Sequence, residues 1–475
     1  MRRASLVGPL VLIAIGILFL LHNLWPELAV LSTVAEWWPA ALIVWGFLRV
    51  VELTRWKAEG RPLPRNGLSG GEWTFVVFLC LIGPAMFTAN KYRDRWPIGL
   101  HLGGLEMLGE SFDYPQPEAV LNAAGKAPRV LVENLRGNAR IVGAGDEIVK
   151  AGGRLSVRSF QQAEADKVNQ DCKLEIVRQG DLIVIRTNQD RAPSSTKVSS
   201  ELEITVPRGS TVEARGRYGD FEIIDIDGSV SVDSDNAGVR VNNAGGTVKV
   251  ATRNSDVIRV TNAKGNVDIS GRGQDVELEG IAGQATVSGS YRGEMTFRNL
   301  AKPVRVEDQR TEFRCERIPG TVSISRGDFG GNDVIGPVIV RGQSKDVELS
   351  NFTDALEVSV DRGDIDLRPG RLPVAKMDVK TRSGNITLGL PVGAKFAIEA
   401  TTDQGEADNS YGEPLRQDRS GKSARIEGTA GAGGPVLRLH TDRGTVHVHK
   451  GGEGMDALPP PAPPVPPAPP KVERL

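Results

Sequence analysis

One feature limits this chain more than any other. Val230, Val248, Val267, Ala285, Val304, Val322 and Val338 recur at steps of 18, 19, 18, 19, 18 and 16 residues. Two residues after each stands Val232, Val250, Ile269, Val287, Val306, Ile324 or Val340. Residues i and i+2 share one face of a strand, so each pair is a short strand with one apolar face. Thirteen of those fourteen positions are Val or Ile. The residues between the first six pairs, Ser231, Lys249, Asp268, Thr286, Arg305 and Ser323, are polar and belong in water.

A second series falls midway: Val239, Val257, Val276, Met295, Phe313, Val347 and Ile365. Its step of 34 residues from Phe313 to Val347 spans two coils, so the reading places a degraded strand in RGDFGGNDVIG. Each coil of about 18–19 residues thus supplies two strands. A single coil cannot bury its own apolar stripe, but coils stacked about 4.8 Å apart extend one narrow core along an axis. About ten coils between Ile204 and Leu388 would give a rod on the order of 50 Å long. Glycine and Asx residues, as at Gly265-Asn266 and Gly273-Gln274-Asp275, suit tight corners. The expected fold is all-β, a two-strands-per-coil β-solenoid behind about three N-terminal transmembrane helices.

The remaining segments divide around that stack. Residues 4–26 and 73–90 carry no Lys, Arg, Asp or Glu, and each is about long enough to cross a hydrocarbon core of roughly 30 Å. Residues 37–51 are expected to form a third span, with Arg49 snorkelling. PLVLIAIGIL and PAALIVWGFL share a pattern, as if one membrane unit had been copied. A cleavable signal ending at Thr33-Val34-Ala35 is disfavoured because the apolar run is too long. Arg2, Arg3, Arg49, Arg55, Lys57, Arg61 and Arg65 lie on the segments expected inside, although Lys91, Arg93 and Arg95 oppose that orientation mildly. The expected domains are 1–95 transmembrane, 96–127 linker, 128–450 extracytoplasmic solenoid and 451–475 a disordered tail. Residues 160–171 read as a short surface helix, and Cys172 as core beside Leu174 and Ile176. In the tail nine of the twelve residues 459–470 are proline, which favours extended polyproline II, a stiff spacer or else a ligand for a groove.

From about Val130 to Val448 the chain resembles the family of bacterial β-solenoid domains grouped as candidate adhesins, whose activity is unassigned. VENLRGNARIVG, ITVPRGSTVEARGRYGDFEI, the Gly-x-Val-x-Val coils and the closing LRLHTDRGTVHVHK carry that likeness. GPLVLIAIGILFLLHNLWP and WWPAALIVWGF resemble the membrane domain of Lia-type cell-envelope stress proteins. The resemblance implies a bacterial, multi-pass protein of the cytoplasmic (inner) membrane with its C-terminal domain extracytoplasmic or periplasmic. It further implies a non-catalytic scaffold or adhesin-like module binding envelope polymers or other envelope proteins. The alternative is an accessory regulator of an envelope-stress two-component system, with a sensor kinase as partner.

Chemistry is sparse in the sequence. A formal charge of −1 supplies no basic field for nucleic acid. GLSGG around Ser69 has the nucleophile-elbow spacing but precedes an apolar span rather than opening a helix after a strand. His447 and His449 share an outward strand face near His440, yet no recognisable ligand spacing surrounds them, and their strand is expected to close the stack. Arg-Gly-Asp occurs at 326–328 and 362–364, both read as solenoid corners. FGGNDVIG is a single copy of a calcium-type repeat and cannot build paired half-sites. A pectate-lyase type of enzyme would need longer, three-stranded coils. The expectation is no enzyme, with no catalytic, cofactor-binding or metal residues and no cofactor.

Overall fold

The computed structural model describes residues 110–451, apart from 124, 194 and 195, together with Thr54. The expected membrane spans, Ser69 and the proline-rich tail lie outside the described residues. The chain divides into two compact units, Met1–Glu106 and Met107–Leu475, and the described strands all belong to the second. No helix among the described residues is long and apolar enough to cross a membrane.

The coil geometry follows from the alternation. In Val230–Asn236 and Val239–Ala244, Val230, Val232, Val239 and Val241 are buried while Asp233, Arg240 and Asn242 are exposed. Successive coils pair in parallel, with Val230, Val248, Val267, Ala285 and Val304 aligned in one ladder. Phe221, Val239, Ile258, Val276 and Met295 align in the second. The two ladders face each other across one continuous apolar core. The second alignment corrects the sequence reading, since Ile258 and not Val257 points inward. One extra residue is absorbed where the register slips between Thr252 and Ser255, which shifts the alternation by one position.

Corners are turned by a device the repeat count does not reveal. Asp225, Asn243, Asn262, Asn299, Asp333 and Asn351 all take positive φ between 52° and 59°. Gly280 holds the corresponding position at φ 66°. Asn and Asp tolerate this left-handed region better than other non-glycine residues, and the kink turns the next side chain inward. Accordingly Ile226, Ala244, Ala263, Ile281, Leu300, Val334 and Phe352 are buried. At the opposite corner Gly219 is obligatory, because a Cβ there would lie 2.2 Å from the carbonyl oxygen of Gly137.

The winding reverses once in mid-stack. Val304–Asp308 turns back as Thr311–Cys315, pairing antiparallel with Val306 opposite Phe313. Ile318–Ile324 runs antiparallel to Met295–Leu300, and Asp328–Ile335 turns back on it in a second hairpin. Parallel winding then resumes, with Phe329 opposite Val347 and Val338 opposite Leu356. Phe313 therefore lies in the first ladder, Val322 and Ile324 lie in the second, and RGDFGGNDVIG holds a complete strand rather than a degraded one. An alternating pattern reads the same in both directions, so it could not announce a reversal. Phe313 and Phe329 meet across the core with ring centroids 5.1 Å apart.

Both ends of the stack are closed out of sequence order. Arg129–Arg136 and Ala139–Ala144 are covered by the later strands Leu182–Arg186 and Lys197–Pro207. Ile148–Ser159 then adds antiparallel to the second of these, and Glu110–Asn122 adds antiparallel to Ile148–Ser159, so part of the expected linker is strand. The helix Gln162–Asp171 forms as the sequence suggested. It buries Ala165 and Val168 against Leu155, Val157 and Val198. Cys172 belongs to this small cluster, whereas Leu174 and Ile176 pack against the main core. At the other end Val436–Arg443 lies between Met377–Ser383 and Phe396–Gln404. Val446–Lys450 lies between Ile386–Leu390 and Ala407–Ser410.

Candidate functional site

Outward columns of the ladders carry the polar chemistry, and much of it is internally neutralised. Arg259 reaches Glu277 at 2.6 Å and Arg240 reaches Asp220 at 3.3 Å, each one coil away. Arg341 bridges Glu312 and Glu357 at 3.2 and 2.7 Å. Exposed pairs of this kind contribute about 0–1 kcal/mol each, so they serve solubility more than stability.

Strand register assembles the densest polar cluster from residues far apart in sequence. His440 stands opposite Thr401 in the first ladder. Its Nδ1 lies 2.9 Å from Thr401 Oγ1, and its Nε2 lies 3.1 Å from Asp442 Oδ1. Asp403, His440 and Asp442 each offer a ligand atom within 4.8 Å of the others. That donor set could hold a divalent cation only by releasing His440 from its present partners. A hydroxyl, imidazole and carboxylate in a row also resemble an acyl-transfer relay. Thr401, however, is paired on both sides, with Arg425 and with His440, so the strand N–H groups are committed to ladders and none is left as an oxyanion donor. Beside the cluster runs a groove of about 580 Å³, whose lining mixes the charges of Asp361, Arg382, Asp403, Asp442 and Arg443.

The other residues singled out in the sequence fall as follows. His447 and His449 do sit side by side, ring centroids 5.3 Å apart. Asp408 Oδ2 lies 3.5 Å from His447 Nε2, a neighbour that linear spacing concealed. Their strand is internal to the ladder and does not close the stack, because Ala407–Ser410 covers it. The Arg-Gly-Asp at 362–364 is a corner, with Gly363 at φ 139°. The copy at 326–328 is instead the tip of a hairpin, where Ser325 N–H donates to Asp328 O at 2.9 Å. In FGGNDVIG, Asn332 Oδ1 accepts from Ser350 and Asn351 at 2.9 Å, and Asp333 pairs with Arg371 at 2.8 Å. These side chains serve the ladder and its surface.

The fold defines a class: two facing parallel ladders, stapled out of order at both ends, forming a β-solenoid domain. The chain belongs to the Toastrack DUF4097 family, whose model matches residues 154–449. Residues 7–112 match the LiaF transmembrane domain. Together these matches make it a membrane-anchored envelope protein. No curated protein matches the chain. A solved structure of a candidate cell adhesion protein from Clostridium sporogenes is similar at 9% identity, covering 71% of this chain and 100% of that one. Its TM-score of 0.17 carries no argument.

Proposed function

We propose that the protein presents an extracytoplasmic β-solenoid from the cytoplasmic membrane and acts by binding envelope polymers or envelope proteins, without catalysis. The observation carrying this reading is the filled interior: the apolar side chains of both ladders form one continuous buried cluster, which leaves chemistry to the outer faces. A catalytic centre needs converging polar groups in a pocket with fixed mutual geometry. The Thr401–His440–Asp442 row has the groups, but it lies on a ladder whose backbone donors are committed. Long, mixed-charge faces instead suit broad contact with a polymer or a partner.

The test is binding of the purified full chain to isolated peptidoglycan and anionic polysaccharides, with product formation followed in parallel. Saturable binding without turnover is expected. Turnover lost on replacing His447 and His449, or His440, with alanine would overturn the reading. Copurification with a histidine kinase, in the absence of polymer binding, would replace it with an accessory role in envelope-stress sensing.

A further inference from the structure

A cavity lies where the winding reverses. It measures about 320 Å³, and its lining includes Tyr291, Arg292, Asp308, Arg310, Arg326 and Lys345. Lys345 is 3% exposed. Its stem lies over Gly342, and its ammonium donates to the carbonyl oxygen of Ser325 in the 326–328 hairpin. No carboxylate among the described residues is within ion-pair distance of it, and burial pushes its pKa below the ordinary lysine range despite Asp308 and Asp328 nearby.

A buried cation held only by a neutral carbonyl is costly, and proteins ordinarily compensate such a charge. Here the neighbours add to the imbalance. Arg292, Arg310 and Arg326 have no ion pair among the described residues, whereas Arg314 and Arg341 nearby are both paired with Glu312. Asp308 is the lone carboxylate among the lining residues. Its two oxygens already accept from the backbone N–H groups of Tyr291 and Arg310, at 3.1 and 3.3 Å. Four cationic side chains thus line the cavity with one carboxylate, which is occupied in holding the turns, while the nearby Asp328 accepts from the Ser325 hydroxyl. The Tyr291 hydroxyl is buried beside them without a hydrogen-bond partner among the described residues.

We propose that this cavity binds a phosphate group on a small polar carrier of about the size of glycerol phosphate. Guanidinium forks match phosphate oxygens two at a time, and a lysine ammonium adds a point charge. The volume falls at the small end of the range for ligand pockets, about 300–1,000 Å³, which suits a headgroup rather than a polymer chain. The arrangement also gives the first Arg-Gly-Asp a physical role. Its hairpin carries Arg326 to the cavity wall and is tied back there by Lys345.

The inference rests on the envelope-binding reading only in naming a ligand class, and its test stands apart from that reading. The purified full chain in detergent would be titrated calorimetrically with inorganic phosphate and with glycerol phosphate, and floated with phosphatidylglycerol or phosphatidylcholine vesicles. Saturable binding of glycerol phosphate is expected, weakened about five- to tenfold by Arg310→Gln or Arg326→Gln and more by the double variant. Arg438→Gln, on a distant outward column, should leave it unchanged. Arg310 and Arg326 are surface residues, so their variants should keep the parent melting temperature even if Lys345→Met fails to fold. Binding of inorganic phosphate alone would identify a free-ion site, while flotation only with phosphatidylglycerol, lost in the arginine variants, would identify a lipid headgroup as the source. No saturable binding of any of these, or binding indifferent to Arg310 and Arg326, would overturn the proposal. Peptidoglycan binding that survives in the arginine variants would leave the broader reading standing.

Discussion

At the scale of single residues the fold rests on side chains whose direction is set by strand parity. Val267 is fully buried and stands between Val248 and Ala285 in the ladder, while Thr286 points outward one coil later. Val267→Asp is expected to lower stability by several kcal/mol, because a carboxylate there would be buried without a partner. Thr286→Asp should change it by less than about 0.5 kcal/mol. Equal shifts in the two denaturant midpoints would show that inward and outward faces are wrongly assigned. The left-handed corner gives a second test. Asn262→Ala at φ 56° should cost about 1–2 kcal/mol, and Asn262→Gly should be close to neutral, as Gly280 already is in the equivalent position of the next coil. Cysteine chemistry follows from burial as well. Desolvation pushes the Cys315 thiol up to about 12 and raises that of Cys172, so little thiolate exists near neutral pH. Neither should react with a thiol reagent until the domain is denatured.

At the scale of elements the reversal and the two out-of-order ends separate this domain from a simple coil. Phe313 and Phe329 fill the core where the strands change direction. Phe329→Ala should cost about 3–5 kcal/mol, since a large side chain leaves a cavity between strands that cannot close up. The C-terminal insertion has a sharper consequence. Deleting residues 436–450 removes the partner of Met377–Ser383 and of Phe396–Gln404 at once. It also strips Ile386–Leu390 and Ala407–Ser410 of their shared neighbour. The expected outcome is loss of protection from amide hydrogen exchange throughout residues 377–430, whereas a terminal coil in an ordinary stack would take only its own layer with it. The outer edge at this end is Arg416–Ser420, every residue of which is exposed. A charged edge of that kind discourages further strand addition.

At the scale of the whole molecule, the membrane segment and the solenoid have to be placed on opposite sides of one question, namely which face of the membrane the stack occupies. Three spans with the N-terminus inside would export everything after residue 90. A phosphatase reporter fused after Leu475 should then be active, and a cytoplasmic fluorescent reporter fused there should not mature. The opposite result would put the solenoid in the cytoplasm and remove envelope polymers as ligands.

Much of the architecture was legible in the residues themselves. The 18- and 19-residue steps of Val230, Val248, Val267, Ala285 and Val304 match the parallel register, because stacked coils must align side chains of one parity. The helix at Gln162–Asp171 and the burial of Cys172 were legible too, for local reasons of periodicity and polarity. What the residues could not disclose is direction and order. A Val-x-Val strand has the same pattern run forwards or backwards, so Phe313 and Val322 exchanged ladders unnoticed. A strand inserted between two earlier ones has the same sequence as a strand added at the end. The clusters that could bind something share that origin. Thr401 meets His440 across 39 residues, and Lys345 meets the Ser325 carbonyl through a hairpin that no periodicity announces. The sequence by itself determined which side chains go inside and how far apart the coils stand, because burial of apolar surface acts on each strand locally. Only the tertiary structure decided which strands become neighbours, because ladder pairing is chosen among many strands of nearly identical pattern.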